Sequence, residues 1–404
     1  MKIAIFGQGY VGLTLAIGAA NSGFEVVGFD VNKDLISKLI LGETDIPGID
    51  KSNLRELIKI KKYLPSTDFE AVQSSKILII TVPTPLDDSR KPDLSFIVSV
   101  SELICQKFRS NALIINESTS YPGTLRNVIK PIIDNSILAK FNYASAPERV
   151  DPANKQWNLK NTPRVVCGID NEATTQAMEF YSHFCQSVHQ ANSVEVAEAS
   201  KIFENTFRQI NIALVNEFAM IANSLNFSAF DAINAAATKP FGFMPFYPSI
   251  GVGGHCIPID PTYLSYISEK SGIEAKFINL ANETNLNMPK YVAEKIQSLL
   301  GGSLQGKSIQ IAGISYKKDV ADMREAPSLR FIRELKILGA TVSWHDPLVQ
   351  VYEGILSAEL DPEVDLGLIL SPHKVIDFSI WARSNIKVFD LSTDGNSYGW
   401  PKFF

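Results

Sequence analysis

The strongest fold signal in the chain is the run Lys2-Ile3-Ala4-Ile5-Phe6-Gly7-Gln8-Gly9-Tyr10-Val11-Gly12. Residues 2–6 suit one short buried parallel strand, and the glycines that follow match the pattern G-x-G-x-x-G. A helix is predicted from Leu13 to about Asn21, and a second strand from Glu25 to Asp30. Strand, glycine loop, helix and a strand that ends in an acid are the order of a dinucleotide-binding unit.

The glycines of this loop have separate physical tasks. Gly7 permits the tight turn, Gly9 lets a pyrophosphate reach the backbone, and Gly12 lets the helix pack on the strand. Asp30 can accept hydrogen bonds from ribose hydroxyls and would repel a 2′-phosphate, so the sequence favours NAD over NADP. The alternative is a glycine-rich turn without a ligand. The predicted cofactor-binding residues of this segment are Gly7, Gly9, Tyr10, Val11, Gly12 and Asp30.

Polar residues follow three further predicted strands, which are Lys76–Val82, Ala112–Asn116 and Phe141–Ser145. Thr84, Thr119 and Glu148 come just after them. Ligands of open parallel sheets bind beyond the carboxyl ends of the strands, so these three residues are candidates for function. The alternatives are a helix-capping role for Ser118 and Thr119 and a solvated loop charge for Glu148.

The composition excludes several function classes. A chain of 404 residues with 45% hydrophobic and 20% charged residues predicts a soluble globular protein of two or three domains. The net charge of −5 offers no basic face for nucleic acid. Since no signal peptide or membrane span is evident, we expect a cytoplasmic protein without a membrane partner. The cysteines fit no zinc spacing, so we expect no metal and reduced thiols at Cys105, Cys167, Cys185 and Cys256.

A long helix is predicted over Glu195–Leu225. The spacing of Glu198, Lys201 and Asn205 places these side chains on one face, and Arg208 continues it. The alternative is a solvated stripe of paired charges. A helix of this length between two α/β units is also a possible spine for self-association.

A glycine-rich loop presents the second candidate site, Gly251-Val252-Gly253-Gly254-His255-Cys256-Ile257-Pro258-Ile259-Asp260-Pro261. Its glycines allow backbone or ligand to approach closely, and its prolines stiffen the exit. The loop thereby offers one thiol, Cys256, and one carboxylate, Asp260. The alternative is a tight turn around a buried cysteine.

The last part of the chain predicts a second α/β unit without the glycine pattern. Its strands are predicted at Lys307–Gly313, Thr341–Trp344, Leu366–Leu370 and Lys387–Leu391, with a helix at Ser328–Leu338. Lys317 and Arg324 follow its first strand, where cationic side chains suit phosphates. The alternative is an exposed charged loop.

The predicted fold class is α/β, with two Rossmann-like doubly wound domains joined by a central helical domain that contains a long helix. The predicted domains are an NAD-binding domain (1–195), a central helical domain with the cysteine loop (196–300) and a C-terminal Rossmann-like domain (301–404).

Taken together, the motifs resemble those of the UDP-glucose/GDP-mannose dehydrogenase family over nearly the whole chain. The matching segments are Gly7–Gly12, Val82–Pro85, Glu117–Thr119, Ala146–Arg149, Lys201–Arg208, Gly251–Asp260 and Lys317–Arg324. The resemblance implies an N-terminal NAD domain, a long helix that forms a homodimer and a C-terminal domain that binds a UDP-sugar. It also implies oxidation of the sugar C6 alcohol to a carboxylate, for surface polysaccharide biosynthesis.

The resemblance also implies the catalytic roles. Cys256 would be the nucleophile that forms a thiohemiacetal and then a thioester. Lys201, with Asn205 beside it, would stabilise oxyanions on C6, and Asp260 would orient water or act as a base. A catalytic water would be held by the remaining two candidates, Thr119 and Glu148. A Cys–His pair with His255 is disfavoured, because consecutive side chains usually point apart.

The same resemblance extends the binding sites. It adds three residues to the cofactor site, which are Thr84, Thr119 and Arg324. The implied substrate residues are Glu148, Arg149, Val150, Lys201, Asn205, Arg208, Tyr247, Gly253 and Lys317. The segment Lys239–Phe243 corresponds to a loop that related enzymes bring across the dimer to the sugar.

Three segments look like the branch that acts on UDP-N-acetylglucosamine: Pro147–Pro152, Lys239–Phe243 and His255–Pro261. Ser249-Ile250 departs from that branch, which leaves UDP-N-acetylmannosamine as the nearest competitor and UDP-glucose as a further alternative. Two other classes remain as hypotheses: a non-catalytic NAD-binding scaffold and a β-hydroxyacid dehydrogenase that needs no cysteine.

Overall fold

A computed structural model describes residues 1–46, 48–150, 154, 156–393 and 399–404. Asp151 and Pro152, part of the sugar-branch motif, lie outside the described residues. The chain divides into two compact units. The first consists of Met1–Glu204 with Thr262–Ile273, and the second of Asn205–Pro261 with Glu274–Phe404.

In the first unit the described residues form one eight-stranded sheet. Its strands are β1 (Lys2–Phe6), β2 (Glu25–Phe29), β3 (Tyr63–Ser66), β4 (Ile77–Ile80), β5 (Ala112–Asn116), β6 (Phe141–Ser145), β7 (Arg164–Gly168) and β8 (Val188–Gln190). They lie in the order β3-β2-β1-β4-β5-β6-β7-β8, and of these neighbours only β6 and β7 pair antiparallel. The order of the first six is that of the dinucleotide-binding fold. The ligand crevice of that fold lies at the carboxyl ends of β1 and β4, where the strand order reverses.

Helices cover both faces of this sheet. They are α1 (Tyr10–Asn21), α2 (Lys33–Ile40), α3 (Lys51–Lys59), α4 (Ser95–Lys107), α5 (Lys130–Ile133) and α6 (Asn171–Ser182), with a 3₁₀ turn (Phe69–Val72) and a π turn (Leu125–Ile129). Alternate residues of β1 enter two different cores: Ile3 and Ile5 one, Ala4 and Phe6 the other. Burial on both faces explains why the strand reads as a continuous apolar run.

The remaining helices follow in chain order: α7 (Val194–Ser224), α8 (Ala229–Ala237), α9 (Asp260–Lys270), α10 (Lys276–Leu299), α11 (Pro327–Ile337) and α12 (Ser379–Ala382). The division between the units falls within α7 and near the start of α9. In the second unit, α7 packs on α10 through buried amides, since Asn216 Nδ2 donates to Asn285 Oδ1 at 2.9 Å. Apolar residues such as Met288 and Val292 complete this core.

The second unit contains a four-stranded parallel sheet in its described residues, with the order β10-β9-β13-β14. The strands of this unit are β9 (Ser308–Ala312), β10 (Thr341–His345), β11 (Val351–Tyr352), β12 (Ile355–Leu356), β13 (Leu366–Ile369) and β14 (Lys387–Asp390). β11 and β12 form a separate antiparallel pair. Ile309 and Ile311 of β9 pack with Phe331 of α11 in one core.

The predicted fold class is confirmed. β5 and β6 have the predicted bounds, and α7 begins and ends one residue before the predicted helix. The prediction missed strands β3, β7 and β8 and the long helix α10. The three-domain boundaries remain a prediction. Within the part of the chain that the structure describes, no helix is both long and apolar enough to cross a bilayer.

Candidate active site

The glycine loop after β1 is shaped by contacts with the end of β4. Gly7 has φ +92°, and a Cβ there would lie 2.8 Å from the carbonyl oxygen of Thr81. A Cβ on Gly12 would lie 1.8 Å from the carbonyl oxygen of Gly7. A Cβ on Gly9, by contrast, would meet none of the described atoms within 4 Å. Packing therefore explains two of the glycines and leaves room for a ligand at Gly9.

The first turn of α1 is open to an anion. Gly9 occupies its N-cap, no side chain of the described residues caps it, and its first turn contains no acid. Uncapped N–H groups at a helix N-terminus bind phosphate. The carboxylate of Asp30 accepts hydrogen bonds from the N–H groups of Gln8 (2.7 Å) and Asn32 (2.9 Å). These bonds hold Asp30 beside the loop, as an acceptor for ribose hydroxyls requires.

Three predicted site residues follow neighbouring strands of the first unit. Thr84 comes after β4, Thr119 after β5 and Glu148 after β6, at the same edge of the sheet. Thr84 and Glu148 are buried, and Thr119 is half-buried. The hydroxyl of Ser118 donates to the carbonyl oxygen of Val82 at 2.8 Å, so it ties two loops together instead of capping a helix.

Glu148 belongs to a buried charge cluster that the sequence did not indicate. The guanidinium of Arg164, on β7, contacts Oε2 of Glu117 at 3.1 Å and Oε2 of Glu148 at 3.0 Å. The hydroxyl of Tyr181 donates to the other oxygen of Glu117. Glu148 is only 8% exposed, which excludes the alternative of a solvated loop charge.

The two carboxyls of this cluster differ in pKa. Burial raises the pKa of Glu117 to about 8, although the charge of Arg164 opposes the shift. Burial alone would also raise the pKa of Glu148, but Arg164 and the N–H groups of Val150 and Arg149 overcome it and lower the pKa. The surroundings therefore favour the neutral form of Glu117 and the ionised form of Glu148.

Two predicted substrate residues take part in holding Glu148. The N–H groups of Arg149 and Val150 both donate to Oε1 of Glu148 at 2.6 Å. The guanidinium of Arg149 is itself paired with Glu204, with Nη2 2.6 Å from Oε1. In this structure Arg149 therefore shapes the loop through its backbone as well as its side chain.

The first half of α7 is not the solvated stripe that its spacing allows. Glu198 is buried, and its carboxylate accepts hydrogen bonds from the N–H groups of Gly123 (2.6 Å) and Leu125 (2.8 Å). Burial raises the pKa of Glu198 to about 7. Lys201, one turn further on, is half-buried, and its charge contributes to the lowered pKa of Glu148.

In the second unit, Asn205 and Asp260 are in direct contact. Nδ2 of Asn205 donates to Oδ2 of Asp260 at 2.5 Å, and both residues are buried. The carbonyl oxygen of Cys256 accepts the N–H of Asp260 at 2.8 Å, so the cysteine lies one turn before α9. The structure thus places three predicted catalytic residues of this unit together, while Lys201, Thr119 and Glu148 belong to the first unit.

The structure describes all four cysteines, and they differ in accessibility. Cys256 is exposed, Cys105 is half-buried, and Cys167 and Cys185 are buried. Burial raises the pKa of the Cys185 thiol to about 11 and also raises that of Cys167. Because the thiolate is the nucleophilic form, the accessible Cys256 is the better candidate nucleophile. His255 beside it has a lowered pKa, first through burial and then through Arg324.

The glycines before Cys256 serve packing. A Cβ on Gly253 would lie 2.7 Å from Cβ of Tyr316, and one on Gly254 would lie 2.8 Å from the Tyr316 ring. A Cβ on Gly251 would lie 2.8 Å from the carbonyl oxygen of Asn285. Neighbouring protein atoms thus account for all three glycines, including Gly253, which was predicted to bind substrate.

The other predicted residues of the second unit lie in different environments. Arg208 is exposed, and Lys317 is half-buried on the loop after β9. Arg324 forms a two-bond pair with Asp322, with Nη2 2.6 Å from Oδ2. Tyr247 stacks on Phe230 with ring centroids 5.1 Å apart. These contacts fix the ring of Tyr247 and the guanidinium of Arg324 against other residues of the protein.

Three family models match the chain in sequence order. The NAD-binding domain of the UDP-glucose/GDP-mannose dehydrogenase family matches residues 1–185, its central domain matches 195–287 and its UDP-binding domain matches 310–382.

The chain belongs to the UDP-glucose/GDP-mannose dehydrogenase family.

Curated relatives and a solved structure agree with this membership. A UDP-N-acetyl-D-glucosamine 6-dehydrogenase of Salmonella typhi is 34% identical over 362 residues, which are 87% of this chain and 84% of the relative. A UDP-N-acetyl-D-mannosamine dehydrogenase of Methanococcus maripaludis is 36% identical over 386 residues, 93% and 86% of the two chains. The structure of UDP-D-ManNAc dehydrogenase from Pyrococcus horikoshii superposes with a TM-score of 0.88 at 29% identity, covering 99% of this chain and 98% of the other.

Membership in the UDP-glucose/GDP-mannose dehydrogenase family makes the chain an NAD-dependent oxidoreductase that acts on nucleotide sugars. The residues present fit the dinucleotide: Gly9 leaves open space, the first turn of α1 is uncapped, and Asp30 carries a fixed carboxylate. Among the described residues, no group of three or more His, Cys, Asp and Glu side chains is placed to hold a metal ion.

Two residues of the charge cluster, Arg164 and Glu117, were not predicted, although weak signals for them are present in the sequence. Arg164 begins the apolar segment Arg164-Val165-Val166-Cys167, and a lone charge at the start of a buried strand is such a signal. Glu117 belongs to the family-like segment Glu117–Thr119, but nothing in its spacing indicates a contact with Arg164, which is 47 residues away.

The contrast between Gly9 and Gly12 predicts two different defects. Gly9→Ala should leave the melting temperature unchanged, because the new Cβ meets no described atom, but it should raise KM for NAD roughly tenfold or more. Gly12→Ala should destabilise the protein by about 1–3 kcal/mol through overpacking. Thermal unfolding and NAD kinetics on both variants measure this. Equal loss of stability in the two variants would contradict the ligand role of Gly9.

Proposed function

We propose that the enzyme oxidises the C6 alcohol of a UDP-sugar to the carboxylate in two hydride transfers, through thiohemiacetal and thioester intermediates on Cys256. The observation that carries the proposal is the exposed thiol of Cys256, one turn before the buried Asp260, in a chain with an NAD-binding and a UDP-binding family domain. NAD, when bound, supplies the hydride acceptor for each oxidation.

The thiol is required by the second oxidation. The first oxidation takes a hydride and a proton from the alcohol and leaves an aldehyde, which has no alkoxide to donate another hydride. The thiolate of Cys256 adds to the aldehyde carbon, and the resulting thiohemiacetal can lose a second hydride and a proton to become a thioester. Water then cleaves the C–S bond and releases the acid. The covalent bond also prevents the aldehyde from escaping.

We propose that three polar residues stabilise the charges that develop on the substrate during the reaction. The ammonium of Lys201 stabilises oxyanions on C6, and the amide of Asn205 assists it. Asp260, which Asn205 holds by a hydrogen bond, orients water or accepts a proton together with Lys201.

We assign the hydrolytic water to Thr119 and Glu148. The half-buried hydroxyl of Thr119 and the ionised carboxylate of Glu148 follow neighbouring strands of the same sheet edge. Both oxygens of Glu148 have fixed partners, so its carboxylate has a defined direction. A carboxylate in a defined direction can orient a water for attack on the thioester.

The proposed substrate is UDP-N-acetylglucosamine, with UDP-N-acetylmannosamine as the alternative and UDP-glucose as a further one. The motifs around Glu148 and Cys256 support the first sugar. Relatives of 34% and 36% identity carry the names of the first two, and both names describe a sugar that is N-acetylated. A non-catalytic scaffold is disfavoured, because Cys256, Lys201, Asn205 and Asp260 are all present.

Counting NADH per sugar consumed tests the reaction. We expect two NADH per UDP-N-acetylglucosamine, and slower turnover of UDP-N-acetylmannosamine and UDP-glucose. Cys256→Ala should abolish acid formation, because no thiohemiacetal can form, whereas Cys105→Ala should retain activity as a matched control. NADH absorbance and chromatography of the uronate provide the measurement. One NADH per sugar, or acid formation by Cys256→Ala, would favour a dehydrogenase that needs no cysteine.

Two substitutions test the proposed assignment of ligands to domains. Asp30→Ala should raise KM for NAD about ten- to a hundredfold and leave KM for the UDP-sugar unchanged, since it removes one or two hydrogen bonds to a charged acceptor. Lys317→Ala should raise KM for the UDP-sugar and leave KM for NAD unchanged. Initial rates over a matrix of both substrate concentrations separate the two constants. Unchanged constants in both variants would contradict the assignment.

We propose a homodimer formed through α7. Five exposed apolar residues of this helix are spaced by 7, 4, 7 and 7 positions: Val196, Phe203, Phe207, Leu214 and Ile221. That spacing places the five side chains in one apolar stripe along the helix. Apolar stripes with a period near 3.5 residues are covered by a second helix in coiled coils. A second copy of the chain offers the same stripe, which a two-fold interface requires.

Charge placed on the stripe should separate the protomers. Leu214→Glu, at a position that is 62% exposed, should convert a dimer to a monomer because it buries an unpaired carboxylate in the interface. Ile137→Glu is the matched control, since Ile137 is 96% exposed and lies outside α7. Light scattering after size exclusion gives the masses. A dimer of Leu214→Glu, or a monomeric wild type, would contradict the interface.

A further inference from the structure

Arg164 is buried in the first unit and has no role in the reaction as proposed above. Its guanidinium is 3% exposed and contacts two carboxylates from different loops, Glu117 after β5 and Glu148 after β6. Its Nη1 also donates to the carbonyl oxygen of Pro147 at 3.3 Å. The guanidinium lies over the ring of Tyr181, 4.9 Å from the centroid.

This arrangement is poorly explained by stability alone. Burying a cation with two carboxyls carries a desolvation penalty that apolar residues of the same size would avoid. The cluster also fixes Glu148 on every side: Arg164 holds Oε2, and the N–H groups of Arg149 and Val150 hold Oε1. A charged cluster that immobilises one carboxylate at the sheet edge where ligands of open α/β sheets bind is typical of support for a reacting group.

We propose that Arg164 and Glu117 are positioning residues that hold the carboxylate of Glu148 for hydrolysis of the thioester. This inference rests on the proposed function of Cys256 and Glu148. In the step, the water oxygen bonds to the thioester carbonyl carbon, the C–S bond breaks and Cys256 leaves as a thiolate. Glu148 accepts one proton of the water, and the acid loses the other to solvent.

The protonation state of Glu117 determines how strong a base Glu148 is. While Glu117 is protonated, the charge of Arg164 acts mainly on Glu148 and keeps it a weak base. Above a pH of about 8 Glu117 ionises, and its negative charge raises the proton affinity of its neighbour. Hydrolysis should therefore accelerate as the pH rises through this value.

Other titratable and charged groups face the two carboxyls of the cluster. The groups that act on Glu117 are Arg164, Glu148, the Tyr181 hydroxyl and the Cys185 thiol, and Lys201 acts on Glu148 from α7. Burial and neighbouring carboxyls raise the pKa of both Tyr181 and Cys185, so neither ionises near pH 8. We therefore attribute the expected rise of the hydrolysis rate with pH to the ionisation of Glu117.

The test measures hydrolysis apart from hydride transfer. Enzyme is mixed with UDP-sugar and NAD, quenched at intervals and analysed by intact mass for an acyl group on Cys256. In Arg164→Lys, which keeps the charge but loses the Nη1 hydrogen bond to the carbonyl oxygen of Pro147, we expect the initial burst of two NADH at the wild-type rate. Hydrolysis should be slowed about 10- to 100-fold, with acyl-enzyme accumulating. In Glu117→Gln the rise in hydrolysis rate through pH 8 should disappear.

Two further variants keep the test decisive. Glu148→Gln should accumulate acyl-enzyme, and if it does not, the role of Glu148 fails and the inference fails with it. If Glu148→Gln accumulates acyl-enzyme while Arg164→Lys and Glu117→Gln do not, the inference alone is overturned. Tyr181→Phe, which removes one hydroxyl from Glu117, replaces Arg164→Lys should the latter not fold, and a smaller accumulation is expected. Burst and hydrolysis slowed equally, together with a lower melting temperature, would show a merely structural cluster.

Discussion

The close approach of Gly12 to the carbonyl oxygen of Gly7 sets the geometry of the first unit. It brings the start of α1 against the end of β1, and the Thr81 hydroxyl completes the contact by donating to the carbonyl oxygens of Phe6 and Gly7, both at 2.9 Å. The direction of the first-turn N–H groups of α1 follows from this contact, and so does the place of Asp30, which the Gln8 N–H holds. One backbone contact thus orients both parts of the predicted dinucleotide site.

The second unit uses glycines in a different way. The bend before Cys256 is filled by Tyr316 and by the backbone of Asn285, and the N–H of Gly254 donates to the carbonyl oxygen of Arg324 at 3.0 Å. The cysteine loop is therefore held by the loop that follows β9, which also carries Lys317. Residues predicted for the covalent chemistry and for nucleotide binding share one packed substructure of this unit.

The fold could be predicted from the sequence because it depends on local patterns of residues. The bounds of β5 and the glycine loop follow from short apolar runs and from residue types with few alternative conformations. The prediction failed where a side chain contacts residues that are distant in the sequence. Helical spacing placed Glu198 on a face with Lys201, but it could not show that the backbone of Gly123 and Leu125 lies opposite. The pairing of Arg164 with Glu117, likewise, depends on strands that are neighbours only in the folded sheet.

The unequal surroundings of the loop glycines also affect how the sequence can diverge. Any side chain at Gly12 meets the chain's own backbone, so every descendant that keeps this fold is restricted there, whatever it binds. A side chain at Gly9 would meet no described protein atom with its Cβ, so packing restricts this position less than the predicted contact with the dinucleotide does. In a lineage that no longer bound NAD but kept the fold, we expect Gly9 to be substituted before Gly12. A substitution at Gly9 would then indicate loss of the cofactor while the fold is still intact.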